Sequence, residues 1–254
     1  MTSPIIRIES PEDFAHINPM SAEVNEAFNV VGAGYCLTPE MLCAAYSRGI
    51  FPWSDRMPML WFFTSPRMVL EPSRFKVSHS LKKRLKDANQ GFYRANGCRL
   101  KLEIFLDREP ESILKYCSEP RAGQNGTWIV PELSTAYLES MRFHFFHTIG
   151  CYLDGELLGG LFFDSIGRMF YGESMFTRRP DLSKIALAAL VAIAKKENVP
   201  IIDCQQETHH LSTLGAAPVS KEAFCSYLSR ECQKPEVDWS AYPSNFSLTS
   251  LIEV

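Results

Sequence analysis

Residues 167–196 read G-R-M-F-Y-G-E-S-M-F-T-R-R-P-D-L-S-K-I-A-L-A-A-L-V-A-I-A-K-K, and this stretch limits the possible folds more than any other. Aromatic and apolar residues from Met169 to Phe176 predict a strand, which Arg178-Arg179-Pro180 ends. Asp181 or Ser183 is placed to cap a helix. Ile185 to Ala194 is apolar on nearly every face, so that helix is buried, and Lys195-Lys196 suit its C-terminal end. A buried helix beside an apolar strand requires further layers from the same chain. Glu173 is the residue out of place, because a carboxylate in such a strand is costly without a partner or a task. A structural ion pair is the commoner explanation for one such residue.

The rest of the chain supplies the layers. Thr38-Pro39-Glu40 opens a helix that Arg48-Gly49 closes. Residues 100–106 alternate as a strand, and 109–117 and 131–141 read as helices, with a turn at 123–125 between them. From Thr148 a meander runs through the Asp154-Gly155 turn into the strand carrying Glu173. The buried helix, a strand over 201–205 and a helix from Lys221 follow. Residues 1–30 read as a polar variable leader, and 233–254 as a polar tail with little pattern.

At 254 residues the chain is long enough for one large domain or two small ones, and 46% hydrophobic content is ordinary for a soluble protein. A net charge of −3 gives no whole-molecule attraction to nucleic acid, so any such contact must be local. The place for it is 78–86, S-H-S-L-K-K-R-L-K, where Leu81 and Leu85 form an inner stripe beside Lys82, Lys83, Arg84 and Lys86. The bland alternative is a solvated face. Trp53, Trp61, Phe62 and Phe63 read first as a core corner and second as a stacking platform for a base. The 8 cysteines form no C-x-x-C pair, and Cys43, Cys151 and Cys204 lie among apolar residues; reduced thiols are expected. No basic segment precedes an apolar run near residue 1, and no run of about 18 apolar residues occurs, so a cytoplasmic protein without a membrane span is expected.

Several chemical templates fail. Residues 172–176 are no nucleophile elbow, since Phe176 stands where a glycine belongs. There is no glycine-rich phosphate loop. His209-His210 lack a third ligand at metal spacing, so no metal is expected. No histidine is paired locally with Cys204, which reads as a buried thiol. What survives is Glu173, the pair Asp203 and Gln205, and two tryptophan-bearing loops. Strand alternation would put Asp203 and Gln205 on one face and Cys204 on the other.

Taken together, R-G-I-F-P-W at 48–53, L-W-F-F-T-S-P-R at 60–67, G-T-W-I at 126–129, G-E-S-M-F at 172–176, S-K-I-A-L at 183–187, I-D-C-Q at 202–205 and H-L-S-T-L-G-A at 210–216 resemble the leucyl/phenylalanyl-tRNA–protein transferase family. The motifs keep the family's order over about residues 30–230. The resemblance implies an α+β fold: a small N-terminal domain (1–75 with the leader), a catalytic domain with the acetyltransferase-superfamily (GNAT-like) mixed sheet and flanking helices (76–232), and the tail (233–254). It implies an enzyme that moves Leu, Phe or Met from aminoacyl-tRNA to the α-amine of proteins starting with Arg or Lys, marking them for degradation, with no cofactor and no metal. By the same resemblance Trp53 and Trp128 flank the terminal adenosine. Phe170, Met175, Ile202 and Leu161 wall the aminoacyl side-chain pocket, and Asp203, Gln205 and Glu173 are the catalytic group. The basic residues at 82–86 are then candidates for tRNA phosphate contacts. Three departures stand out. Cys36 occupies the place of a family Asp. Gly150 and Tyr152 replace a Glu and a Trp, which bears on acceptor choice. Leu182 precedes Ser183-Lys184 where Ala is usual.

Two other functions compete. An acyl-CoA-dependent acetyltransferase would want a glycine-bearing turn before the buried helix, and R-R-P-D-L-S-K has none. A non-catalytic tRNA-end binding module would need the tryptophans but not Asp203 and Gln205.

Overall fold

The computed structural model describes residues 5–21, 28–120, 126–245 and 247–252, and the predicted turn at 123–125 lies outside them. Strand β1 (Ile6–Arg7), β2 (Phe28–Gly34), helix α1 (Pro39–Tyr46), β3 (Phe51–Pro52) and β4 (Met59–Thr64) come first, their strands forming a small sheet in the order β1-β2-β4-β3. Then follow β5 (Arg67–Leu70), α2 (His79–Asn89), β6 (Phe92–Ala95), β7 (Cys98–Leu106), α3 (Pro110–Ser118) and α4 (Pro131–Ser140). The meander is β8 (Phe146–Leu153), β9 (Glu156–Ile166) and β10 (Met169–Thr177). The chain continues as α5 (Leu182–Lys196), β11 (Ile202–Asp203), α6 (His209–Thr213), β12 (Ala217–Val219) and α7 (Lys221–Glu231). The large sheet has the order β12-β5-β11-β10-β9-β8-β7-β6 and is mixed, because β10 runs parallel to β11 and antiparallel to β9. This is the expected α+β architecture.

Local chemistry sets the helix starts. The side chains of Thr38, Ser78, Thr208 and Ser220 accept from backbone N–H groups in the first turns of α1, α2, α6 and α7. Asp181 stands at the head of α5 with φ 65°, but its carboxylate does not cap; Lys184 Nζ donates to it at 2.8 Å. One face of the large sheet packs on the small sheet, α1, α3 and α4. The other carries α2, α5 and the C-terminal segment. Gly159 lets α5 come down on β9, since a Cβ there would lie 2.4 Å from Cβ of Leu182.

Three expectations are corrected. The chain leaves the small sheet between Thr64 and Arg67, not at residue 75, because β5 already belongs to the large sheet. The described part of the leader joins the core: β1 pairs with β2, and Ile8 and Phe14 are fully buried, Phe14 edge-on to Trp61 at 4.8 Å. The tail is core too, with Val237, Trp239, Tyr242, Leu248 and Ile252 buried. Single anchors on turns have no period, so neither end announces its burial. Asn89 Nδ2 donates to the Ile252 carbonyl at 2.9 Å and Ile104 N to Ser247 Oγ at 3.2 Å, tying the segment down. Trp239→Ala is expected to cost about 3–5 kcal/mol in urea unfolding. A loss below about 1 kcal/mol would mean that the segment is not core.

Candidate active site

The site lies where β10 and β11 part. They pair at Phe170–Ile202 and Tyr171–Asp203, then β11 ends while β10 runs on to Thr177. The gap widens into a cavity of about 910 Å³ reached by residues 172–175 of one strand and 204–206 beyond the other. The register of β10 against β9 shifts between Gly172 and Ser174, so Glu173 is the extra residue of a bulge, a device that re-aims a side chain.

Glu173 meets three hydrogen-bonding side chains. Gln205 Nε2 donates to Glu173 Oε1 at 2.9 Å. The hydroxyls of Tyr46 on α1 and Tyr137 on α4 hydrogen-bond the same carboxyl and lie 2.7 Å from each other. Burial pushes the Glu173 carboxyl up to about 8, against the lowering effect of the tyrosine hydrogen bonds. The charges of Asp203 and Arg67 act on it in opposite senses. A second carboxyl, Asp164 on β9, is fully buried beside this cluster.

Gln205 is held from behind. Its φ is 52°, its N–H donates to Asp203 Oδ1 at 2.9 Å, and its carbonyl accepts from Thr64 Oγ1 at 2.9 Å. Asp203 is fully buried and takes two hydrogen bonds from Arg67, Nε to Oδ1 at 2.8 Å and Nη2 to Oδ2 at 2.7 Å. The Arg67 guanidinium lies over the rings of Phe224 and Phe51 at 4.5 and 4.9 Å. Asp203 therefore does not line the cavity, and the alternation expected over 203–205 fails. The strand stops at Asp203, the left-handed turn swings Gln205 into the cavity, and Cys204 lines it as well. Burial pushes the Cys204 thiol well up, so it is no nucleophile at neutral pH.

The other expected residues divide. Trp53, Trp128, Leu161, Met175 and Ile202 line the same cavity. Trp53 sits edge-on to Phe62, and Trp128 approaches Phe162. Phe170 does not line it; it is sealed into the core by Phe163 and by Trp239 of the C-terminal segment. Leu187 and Leu190 of α5 complete the apolar wall, unmarked in a helix apolar all round. Lys82, Lys83 and Lys86 are exposed on α2, outside the cavity lining. Arg84 is committed to the fold, over the Tyr93 ring at 4.6 Å and 3.8 Å from Asp181. Cys36 and Gly150, where the family pattern is broken, are not in the lining either; a Cβ on Gly150 would meet the Tyr152 ring at 2.8 Å and Ile113 of α3 at 3.1 Å. Sequence reasoning passed over Arg67, Tyr46 and Tyr137. Arg67 had a signal, being a cation in an apolar run as Glu173 is an anion in one. Among the described residues no three His, Cys, Asp or Glu are grouped to hold a metal, and no helix is long and apolar enough to cross a membrane.

With a folded value of about 8 and an ordinary one of 4.5, Glu173 keeps a proton on folding that the unfolded chain has lost between those pH values. Its neutral form favours the fold fully below about pH 4.5, and that contribution fades as pH rises to about 8. Urea midpoints of the protein should fall across this window relative to those of Glu173→Gln. Parallel curves would mean that the carboxyl titrates as if exposed.

The comparisons with known proteins agree over most of the chain. Residues 69–229 match the family described as leucyl/phenylalanyl-tRNA protein transferase, and residues 36–65 match its N-terminal domain. The leucyl/phenylalanyl-tRNA–protein transferase of Methylibium petroleiphilum is 44% identical over 238 residues, covering 92% of this chain and 86% of its own. That of Janthinobacterium sp. is 42% identical over 231 residues, covering 91% and 93%. Among solved structures, a GCN5-related N-acetyltransferase from Kribbella flavida aligns with 74% of this chain and 64% of its own at 13% identity and a TM-score of 0.31, a likeness too low to argue from. On the sequence matches, the chain belongs to the leucyl/phenylalanyl-tRNA–protein transferase family, a family of aminoacyltransferases.

Proposed function

We propose that the chain moves Leu, Phe or Met from aminoacyl-tRNA to the α-amine of acceptor proteins that begin with Arg or Lys, in the cytoplasm, marking them for degradation. The observation that carries this reading is the 2.9 Å contact between Glu173 and Gln205, both lining an apolar cavity that two tryptophans also line. An aminoacyl ester is already activated, so the reaction needs geometry and proton transfer and no further source of energy. Trp53 and Trp128 stack on the terminal adenine. Leu161, Met175 and Ile202 receive the aminoacyl side chain. An apolar wall discriminates weakly among Leu, Phe and Met, and the flexible thioether of Met175 adapts to each. The cavity also reaches the carboxylates of Asp55 and Glu119, the charge sign that a basic first residue calls for, although Glu119 already accepts from Arg178 at 2.9 Å and Asp55 lies 3.8 Å from Arg56.

The acceptor amine arrives as an ammonium, which favours the ionised form of Glu173. Glu173 takes one proton of the ammonium, and the freed amine nitrogen bonds to the ester carbon. The C–O bond to the ribose breaks, the second proton shed by the nitrogen passes to the ribose oxygen, and Glu173 returns its proton to water. Gln205 orients Glu173 and the amine. Asp203 is a positioning residue: with Arg67 it holds the backbone of Gln205 and touches no substrate. Lys82, Lys83 and Lys86 meet tRNA phosphates, while Arg84 keeps its place between α2 and α5.

The test is single-turnover transfer of labelled Phe or Leu from charged tRNA to peptides beginning with Arg, Lys or a control residue. Glu173→Gln and Gln205→Ala should lower the rate by ~10²–10⁴-fold. Trp128→Ala should weaken aminoacyl-adenosine binding by about 1–3 kcal/mol. Asp203→Asn should chiefly lower stability, by about 3–5 kcal/mol, because it leaves Arg67 a buried cation without its counter-charge. Equal transfer to the control peptide, or normal rates in Glu173→Gln and Gln205→Ala, would overturn the reading. Separately, Ala at Lys82, Lys83 and Lys86 should reduce the salt slope of tRNA binding by about one unit per lost phosphate contact. An unchanged slope would leave those lysines as a solvated face.

A further inference from the structure

Glu173 is aimed by a break in strand pairing, and Gln205 is aimed by another. Past the end of β11 the pairing with β5 does not stop at once. The Met68 carbonyl accepts from Cys204 N at 2.9 Å, while Met68 N donates to the Gln205 carbonyl at 3.3 Å. Two residues therefore stand opposite one, the pattern of a bulge. Gln205, with φ 52°, is in the left-handed region, which side chains other than glycine's disfavour. Such a backbone persists only where its surroundings hold it.

What holds it is a closed ring of hydrogen bonds that starts and ends on Arg67. On one side Arg67 Nε donates to Asp203 Oδ1 at 2.8 Å, and the same oxygen accepts from Gln205 N at 2.9 Å. On the other side Arg67 Nη1 donates to Thr64 Oγ1 at 3.3 Å. That hydroxyl gives its one proton to the Gln205 carbonyl at 2.9 Å. Gln205 is thus gripped at both its N–H and its carbonyl, and its side-chain Nε2 reaches Glu173 Oε1 at 2.9 Å. Thr64 is the last residue of β4 and is buried, so this part of the ring comes from the small sheet. The fold has no need of the hydroxyl itself. Valine would fill the same space, and the Gln205 carbonyl would keep the longer bond from Met68. We propose that Thr64 is a positioning residue for the transfer: its hydroxyl holds the bulged backbone so that the Gln205 amide stays on the Glu173 carboxyl. The inference rests on the role given to Gln205 above.

The test compares Thr64→Val and Thr64→Ser in single-turnover transfer of labelled Phe from pre-bound Phe-tRNA to an Arg-starting peptide, well below the melting temperature of each variant. Thr64→Val should transfer about tenfold more slowly, because small misplacements of a reacting group are costly. Its binding of aminoacyl-adenosine should be unchanged, since the hydroxyl acts on Gln205 and not on the walls of the cavity. Thr64→Ser keeps the hydroxyl and should recover most of the rate. Thr64→Val combined with Gln205→Ala should be no slower than Gln205→Ala alone, because the two act as one unit. A parent-like rate in Thr64→Val, whatever its melting temperature, would make the hydroxyl merely structural and overturn the inference. A Thr64→Ser variant as slow as Thr64→Val, weakened aminoacyl-adenosine binding in Thr64→Val, or full additivity with Gln205→Ala would overturn it as well. If Thr64→Val does not fold, Thr64→Ala takes its place in each comparison. Gln205→Ala is also run by itself: normal transfer there removes the Gln205 role and this inference with it, whereas slow transfer there with a normal Thr64→Val removes only this inference.

Discussion

Arg67 and Asp203 form the contact on which the rest of the site depends. The pair is fully buried and doubly hydrogen-bonded, and it joins the segment leaving the small sheet to the end of β11. A buried ion pair is seldom a net source of stability, but it tolerates few alternative geometries, since either charge alone is strongly disfavoured. Here that intolerance fixes position. Thr64 accepts from Arg67 at 3.3 Å and donates to the Gln205 carbonyl, and Asp203 accepts from the Gln205 N–H. A residue with left-handed backbone just past a strand end is thereby held by contacts from both parts of the molecule.

The opposite wall uses a different device. The bulge in β10 turns Glu173 out of the strand pattern toward phenols from α1 and α4. Three separate segments thus converge on one carboxyl, and a fourth brings Gln205. The low-dielectric surroundings that lift the proton affinity of Glu173 also strengthen every hydrogen bond made to it. One arrangement therefore sets both the protonation state of the group and its aim.

Much of this was legible in the sequence. The strand, breaker and buried helix of 167–196 show their periods plainly, and Glu173 stands out because apolar neighbours surround it. Trp53, Trp128, Met175 and Ile202 were placed through their motifs, Leu161 through the family resemblance alone, and all five line one cavity. What was not legible depends on breaks in period or on distant partners. Residues 203–205 look like strand, yet the turn at Gln205 leaves Asp203 out of the cavity lining and brings Cys204 into it. Phe170 was assigned to the wall because nothing showed that Trp239, from an apparently patternless tail, would cover it. Tyr46 and Tyr137 each look like ordinary helix core, and their meeting follows only from the contact of α1 with α4.

The place of β5 in the large sheet has a consequence for how the chain is made. Its strand neighbours are β11 and β12, and its residues Arg67–Leu70 are buried when folded. A ribosome releases this apolar strand well over a hundred residues before it releases either neighbour, as the 136-residue separation of Arg67 and Asp203 shows. Throughout that interval Met68, Val69 and Leu70 form an unpaired sticky edge of the kind that chaperones cover. The nascent chain is thus exposed to misassociation for most of its synthesis.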